Sequence, residues 1–268
     1  MKRKWLPLAL SECLFGAETI SGKLASCYEA GFAAFEFSPV YDAERLNAHV
    51  KEIQRELETT ELKIWSVHLP FGAQNDISAG KEAERQRVEN DLKAYIDVVK
   101  ELHPAVAVVH GSAEPIKEEE RLHRMEQSIR SLATLTEYCR QYGIQLAVEC
   151  LPRTCLGRNS EEILTMTDTV EGLAVCFDTN HLTLQQPLDF VQKVGSKIVT
   201  THVSDYDFID ERHWMPGWGK MDWSALYQAL IQAGYDGPIL FEVVNRPENP
   251  RLTPKMLAQN WRNLLAQP

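Results

Sequence analysis

Long apolar runs are missing from the 268-residue sequence, in which no stretch approaches the roughly 20 residues of a membrane-spanning helix. The start, Met1–Lys4, is basic, but the apolar stretch Trp5–Leu10 that follows is too short for a signal peptide. We interpret this stretch as the first strand of the fold and expect no membrane partner.

Paired cysteines are also missing. None of the six cysteines stands in C-x-x-C spacing with another, which argues against a structural zinc site. We expect buried free thiols, as in proteins of a reducing compartment, and therefore a cytoplasmic location. The cysteines are Cys13, Cys27, Cys139, Cys150, Cys155 and Cys176.

Basic residues are scarce relative to acidic ones. The chain has 28 lysines and arginines against 38 aspartates and glutamates, a formal charge of −10 with neutral histidine. This balance disfavours a nucleic acid as the partner, because gripping a phosphodiester backbone needs basic surface. A small anionic substrate held by a few local cations is compatible with it. The apolar content of 44% excludes a mostly disordered chain.

The sequence does contain a repeated alternation of short apolar runs and longer amphipathic segments. The runs show little apolar–polar alternation, which is typical of parallel strands buried on both faces. The predicted strands are Leu6–Leu10, Ala33–Phe37, Lys63–Leu69, Ala105–His110, Gln145–Cys150, Ala174–Asp178, Ile198–Val203 and Pro238–Val243. The predicted helices are Ser21–Ala30, Asp42–Glu58, Lys81–Leu102, Glu118–Tyr142, Ser160–Thr169, Pro187–Val194, Trp223–Ala233 and Pro254–Leu265.

Eight strands that alternate with eight helices predict an α/β fold, the closed (β/α)8 or TIM barrel, as a single domain over residues 1–268. The alternative is an open, doubly wound sheet. The turn after the first strand, residues 11–16, lacks the G-x-G-x-x-G pattern of dinucleotide-binding sheets, which disfavours this alternative.

Acidic or histidine side chains stand at or near the carboxyl ends of seven consecutive strands. In a barrel these ends converge on one mouth, where active sites lie. Carboxylates buried close together need a compensating charge, yet these strand ends carry neither lysine nor arginine. A divalent cation meets that need, and a mostly oxygen-donor set suits Mn²⁺ or Mg²⁺ and is compatible with Zn²⁺ or Co²⁺. The residues are Glu36, His68, His110, Glu149, Asp178, His202 and Glu242.

Six segments carry a family resemblance. They are Ser66–Phe71, Val109–Gly111, Ala147–Glu149, Cys176–His181, His202–Asp205 and Pro216–Trp223. In their order and spacing they resemble the xylose isomerase-like TIM-barrel superfamily, which includes sugar-phosphate isomerases and epimerases and the second family of apurinic (AP) endonucleases. The resemblance extends over essentially the whole chain.

The ketose epimerase branch of this superfamily implies one divalent metal ion in the protein. By resemblance, Glu149, Asp178, His202 and Glu242 hold the ion, and the two glutamates also act as the catalytic acid/base pair. The resemblance also places His181 near a substrate oxygen. We favour Mn²⁺ as the ion, with Zn²⁺, Co²⁺ or Mg²⁺ as alternatives.

The endonuclease branch implies three zinc ions instead. Its further ligands map onto four histidines, and Glu149 then bridges two metals. The family's Asp-x-His element appears here as Glu211-Arg212-His213, and the longer acid side chain argues against the third site. The four histidines are His68, His110, His181 and His213.

The function that the resemblance implies is a divalent-metal-dependent isomerase or epimerase of a small ketose, a sugar phosphate or an inosose-like polyol. Glutamates would transfer the proton through a metal-stabilised enediolate. Glu149 and Glu242 come from strands five and eight, on different sides of the ring, which favours the two-faced arrangement of an epimerase. The alternatives are a zinc-dependent apurinic endonuclease-like phosphodiesterase and an inosose-type dehydratase.

Other polar residues are candidates for binding the substrate. Glu36 either binds a substrate hydroxyl, orients a metal ligand or pairs with a nearby arginine. Arg153 with Arg158 could bind an anionic group, so phosphorylation of the substrate stays open. The segment Asp207–Trp223 is predicted to cover the mouth or to face a partner chain in a homo-oligomer. Asp205 either orients His202 or caps the segment after strand seven. The candidate substrate-binding residues are His68, His110, His181, His213, Glu36 and Arg153.

Overall fold

The computed structural model describes residues 5–16, 18–38, 40, 42–246 and 251–266. The basic start, Met1–Lys4, lies outside the described residues. Within these ranges, no helix is both long and apolar enough to cross a membrane. All six cysteines carry free thiols, and five of them are buried, as expected.

Eight parallel strands alternate with eight α-helices in the described part of the chain. The strands are β1 (Leu8–Ser11), β2 (Ala34–Phe37), β3 (Lys63–His68), β4 (Val106–His110), β5 (Gln145–Glu149), β6 (Ala174–Asp178), β7 (Ile198–His202) and β8 (Ile239–Phe241). The helices are α1 (Ile20–Glu29), α2 (Ala43–Leu57), α3 (Glu82–Val99), α4 (Glu118–Arg140), α5 (Ser160–Thr169), α6 (Pro187–Val194), α7 (Trp223–Gln232) and α8 (Pro254–Ala266).

The strands form one sheet in the order β7-β6-β5-β4-β3-β2-β1-β8. The two end strands meet through a parallel bridge between Val203 and Phe241. There the Val203 amide donates to Leu240 at 2.7 Å, and the Glu242 amide donates to Val203 at 3.1 Å. The sheet therefore rolls up into the predicted (β/α)8 barrel, and the fold prediction is confirmed.

Several predicted elements are longer than those observed, and two of them illustrate why. The third predicted helix ends as an α-helix at Val99, and Lys100–Leu102 form a tighter 3-10 turn before Pro104. The last predicted strand shortens to Ile239–Phe241, because Pro238 has no amide hydrogen to donate to a ladder.

Alternation along the strands decides which side chains enter the barrel. In β4 to β6, Ala107, Val148 and Phe177 belong to the large core between sheet and helices. Their neighbours in sequence form a separate apolar cluster inside the barrel, composed of Val106, Val108, Ala147, Ala174 and Cys176. Continuing this two-residue period points His110, Glu149 and Asp178 inward at the mouth.

The long segment after β7 is held by the buried side chain of Asp205. Its carboxylate accepts hydrogen bonds from the Gly217 amide at 2.7 Å, the Trp223 indole at 2.9 Å and the Met221 amide at 3.3 Å. Gly219 packs so closely that an added Cβ would overlap Asp205 Oδ1. Of its two predicted roles, Asp205 therefore takes the second, fastening the segment after β7.

We expect Asp205→Ala to lower the free energy of unfolding by about 3 kcal/mol, because it leaves without a partner several buried donors that bond to the Asp205 carboxylate in the wild-type protein. Urea denaturation measures the change. The control is Asp222→Ala, which removes only the N-terminal cap of α7 and should cost about 1 kcal/mol. Equal losses in the two variants would contradict the anchoring role of Asp205.

Candidate metal centre

Four side chains converge at the mouth of the barrel. Glu149 ends β5, Asp178 ends β6, His202 ends β7, and Glu242 directly follows β8. One donor atom from each lies within 4.8 Å of the other three. The first three residues are almost completely buried, and the side chain of Glu242 is 17% exposed. The predicted ligands therefore share a common centre.

Glu149 is the hub of this centre. Its Oε1 lies 2.9 Å from His202 Nδ1. Its Oε2 lies 3.0 Å from His110 Nε2 and 3.2 Å from His68 Nε2. Each oxygen thus faces imidazole nitrogen, and the carboxylate joins the two histidines of β3 and β4 to the cluster at β7.

The donor set fits a divalent cation. Asp178 Oδ2 and Glu242 Oε2 are buried and have no hydrogen-bond partner among the described residues. The other oxygen of Asp178 accepts from the Asn180 amide at 2.6 Å, which fixes the direction of the carboxylate. Unpaired buried carboxylate oxygens are costly, so two of them beside one imidazole are typical of a metal site.

Glu36 lies beneath the centre, not against a substrate cavity. Its Oε2 accepts a hydrogen bond from Ser66 Oγ at 2.7 Å and lies 3.0 Å from His202 Nε2. Of the predicted roles, orienting a metal ligand matches this arrangement, whereas substrate contact and pairing with an arginine do not. The carboxylate holds the nitrogen of His202 that faces away from Glu149, which sets the orientation of the ring.

One further group of donors, Glu149, Cys176 and His202, overlaps the centre, and two others flank it. One comprises His68, His110 and Glu149, and the other comprises His181, Glu211 and His213. In the second group Glu211 Oε1 lies 3.0 Å from His181 Nε2. The longer glutamate side chain therefore reaches the histidines, contrary to the expectation that it would spoil this group. The sequence contains the Glu211-x-His213 element, but whether the Glu211 carboxylate reaches His181 depends on the conformation of the loop, which the sequence does not reveal.

The xylose isomerase-like TIM barrel family matches residues 24–263. The chain belongs to this family.

Proteins similar to this chain include one named as a ketose 3-epimerase. The ketose 3-epimerase of Arthrobacter globiformis is 25% identical over 259 residues, which cover 94% of this chain and 86% of that protein. A D-tagatose 3-epimerase-like protein has the same fold, with a TM-score of 0.83, 23% identity and coverage of 97% and 98%. The IOLI protein, crystallised with a bound zinc atom, has a TM-score of 0.79, 18% identity and coverage of 97% and 96%.

In the present protein, a cavity of about 340 Å³ opens above the candidate metal centre. Four of the predicted histidines line it, together with Glu149 and Glu242, and Phe71 stacks on His110 with ring centroids 4.4 Å apart. The four are His68, His110, His181 and His213. Apart from Glu36, the residues expected to meet a substrate therefore surround one space.

The predicted pair of anion-binding arginines does not form. Arg153 lines the cavity, but its guanidinium is bonded to Glu114, Asp210 and Glu211. Arg158 faces away, toward Glu118 and Glu162. The partners of both arginines come from other loops or from helices, which the local sequence did not reveal.

The buried charges shift the titration of the centre. Burial alone would lower the pKa of His202, but the carboxylates of Glu36, Glu242 and Glu149 hold that pKa well above its usual range. Burial opposes protonation of His181 as well, yet Asp178 and Glu211 raise its pKa to about 10. Burial raises the pKa of Asp178 well above its ordinary value. Without a metal, these shifts favour protons on His202 and His181 beside the carboxylates.

We expect the affinity for Co²⁺ to rise with pH between about 6 and 8, by about tenfold per unit for each proton displaced. The sign follows because His202 carries a proton in the metal-free protein and must lose it to become a ligand. Calorimetric titration in buffers of different ionisation enthalpy measures both affinity and proton release. An affinity independent of pH would contradict this assignment of the proton.

Proposed function

We propose that this chain is a divalent-metal-dependent isomerase or epimerase of a small ketose or related polyol. The observation that carries the proposal is the convergence of Glu149, Asp178, His202 and Glu242 within 4.8 Å, where two buried carboxylate oxygens have no hydrogen-bond partner among the described residues. The family and the ketose 3-epimerase of Arthrobacter globiformis support the same reaction class.

Manganese is the ion that we propose, since three of the four ligands are carboxylates. When bound, a divalent cation supplies Lewis acidity that stabilises negative charge on substrate oxygens. His202 is oriented for it by Glu36, which lies 3.0 Å from the far ring nitrogen.

The proton transfer falls to the two glutamates. They reach the centre from β5 and from the end of β8, so they approach the cavity from different sides of the ring. Glu149 and Glu242 both have a lowered pKa, against burial, because His202 is nearby, so both are ionised at neutral pH. One carboxylate takes the proton next to the carbonyl of the substrate. The second glutamate, after taking a proton from solvent, returns it to the opposite face of the resulting enediolate. This arrangement supports epimerisation.

The substrate that we propose carries no phosphate. Arg153 is the one lysine or arginine among the described residues that line the cavity, and three carboxylates already bond it. Hydroxyl groups find donors and acceptors in the four histidines of the lining, and Phe71 provides an apolar wall. An uncharged ketose or polyol fits this lining better than a sugar phosphate.

A second candidate is a zinc phosphodiesterase like the apurinic endonucleases. It is favoured by the two donor groups that flank the centre, since Glu149 belongs both to one of them and to the centre itself. The charge of −10 opposes it, because binding a DNA backbone needs basic surface.

We expect Glu242→Gln to slow catalysis by at least about a hundredfold, because it removes one of the two proton-transfer groups. The assay screens unphosphorylated ketoses with Mn²⁺ and follows deuterium uptake from solvent at the carbon next to the carbonyl. Glu118→Gln, an exposed substitution on α4, is the matched control and should keep full activity. Activity retained by Glu242→Gln would refute the role of this glutamate, and loss of water from an inosose without epimerisation would indicate a dehydratase.

Metal content separates the two candidate functions. We expect one tightly bound Mn²⁺ per chain, determined by elemental analysis after dialysis, and no cleavage of abasic DNA. Removal of the metal by a chelator should abolish deuterium uptake, and Mn²⁺ should restore it. Three zinc ions per chain together with cleavage of abasic DNA would overturn the epimerase proposal.

A further inference from the structure

Arg153 joins three loops at the edge of the cavity. We propose that it is a positioning residue, which fastens the loop after β7 to the loops after β4 and β5 and thereby holds Glu211 against His181. The effect of Arg153 on metal binding rests on the proposed function. Its effect on the loops can be tested independently of that function.

The contacts of Arg153 span the three loops. It follows β5 with a left-handed backbone, φ 52°. Its Nη2 donates to Glu114, in the loop after β4, at 2.5 Å. Its Nη1 donates to Glu211 at 2.5 Å and to Asp210 at 3.2 Å, both in the loop after β7. A planar guanidinium can bond in several directions at once, which a lysine ammonium on a flexible stem does less well.

The chain of contacts continues from Glu211 into the site. Arg153 donates a hydrogen bond to Oε2 of Glu211, and Oε1 of the same carboxylate lies 3.0 Å from His181 Nε2. The other nitrogen of His181, Nδ1, lies 3.0 Å from the carbonyl oxygen of Cys150. Both nitrogens of the ring are therefore held, one of them through a carboxylate that Arg153 fixes in turn.

The loop around Glu211 relies on such side-chain contacts. The amides of Ile209 and Asp210 donate to the side chain of Asp207, within the loop itself. Ile209 is 71% exposed and contributes little packing. Outside contacts come from Arg153, which donates to Asp210 and Glu211, and from His181, which faces Glu211 at 3.0 Å. The Arg212 amide also donates to Asn180 Oδ1 at 3.0 Å. Loss of the guanidinium should therefore loosen this stretch more than its surroundings.

Hydrogen exchange tests the fastening directly in the metal-free protein. We expect Arg153→Met to speed exchange of the amides of residues 209–212 by about tenfold. The Trp214 amide donates to the Asp205 carbonyl at 3.0 Å, and the Asp205 amide donates back to the Trp214 carbonyl at 2.8 Å, so exchange of the Trp214 amide should not change. Arg158→Met is the matched control, because Arg158 is on the same loop but bonds to Glu118 and Glu162. Unchanged exchange in Arg153→Met, or an equal change in the control, would overturn the proposal.

Release of Co²⁺ to a chromophoric chelator tests whether Arg153 acts through Glu211. We expect Arg153→Met and Glu211→Gln each to speed release by about tenfold, and the double variant to be no faster than Glu211→Gln alone. Arg153→Lys should recover part of the slow release. Additive effects would overturn the route through Glu211. If the wild-type protein binds no Co²⁺, the proposed function fails, while hydrogen exchange still decides the role of Arg153.

Discussion

Electrostatic crowding at the mouth of the barrel is the constraint on which the site depends. Glu149, Asp178 and Glu242 surround His202, and the barrel walls keep most of this group from water. Carboxylates in such surroundings are costly unless a positive charge lies among them. Protonated histidines can supply that charge, and a divalent cation supplies it more compactly. The positions of Glu36, Asn180 and Ser66 make sense as supports for this arrangement.

The fold was predictable because each barrel unit carries its own local signals. The β strands are apolar on both faces, and helix boundaries follow residues such as Pro187, which opens α6 as predicted. The convergence of the strand-end residues followed from the barrel, since parallel strands place their carboxyl ends together. The family match over residues 24–263 agrees with the TIM barrel predicted from the sequence.

The loops were much less predictable from sequence. Arg153 bonds to Glu114 and to Glu211, which are separated from it by 39 and 58 positions, and no periodic pattern connects residues at such distances. The contact between Glu36 of β2 and His202 of β7 likewise joins residues that are 166 positions apart in the sequence. Loop side chains and long-range partners decide what the cavity accepts, so fold and centre were easier to predict than the substrate.

The seam between β7 and β8 has a consequence for how the molecule holds together. These strands meet only briefly, through Val203 and Phe241, whereas β5 pairs with β4 along its whole length. His202 lies on one side of that seam and Glu242 on the other. An ion bound by both residues would cross-link β7 and β8 at the seam, where few backbone hydrogen bonds connect the strands. Metal binding would then also stabilise the closure of the barrel.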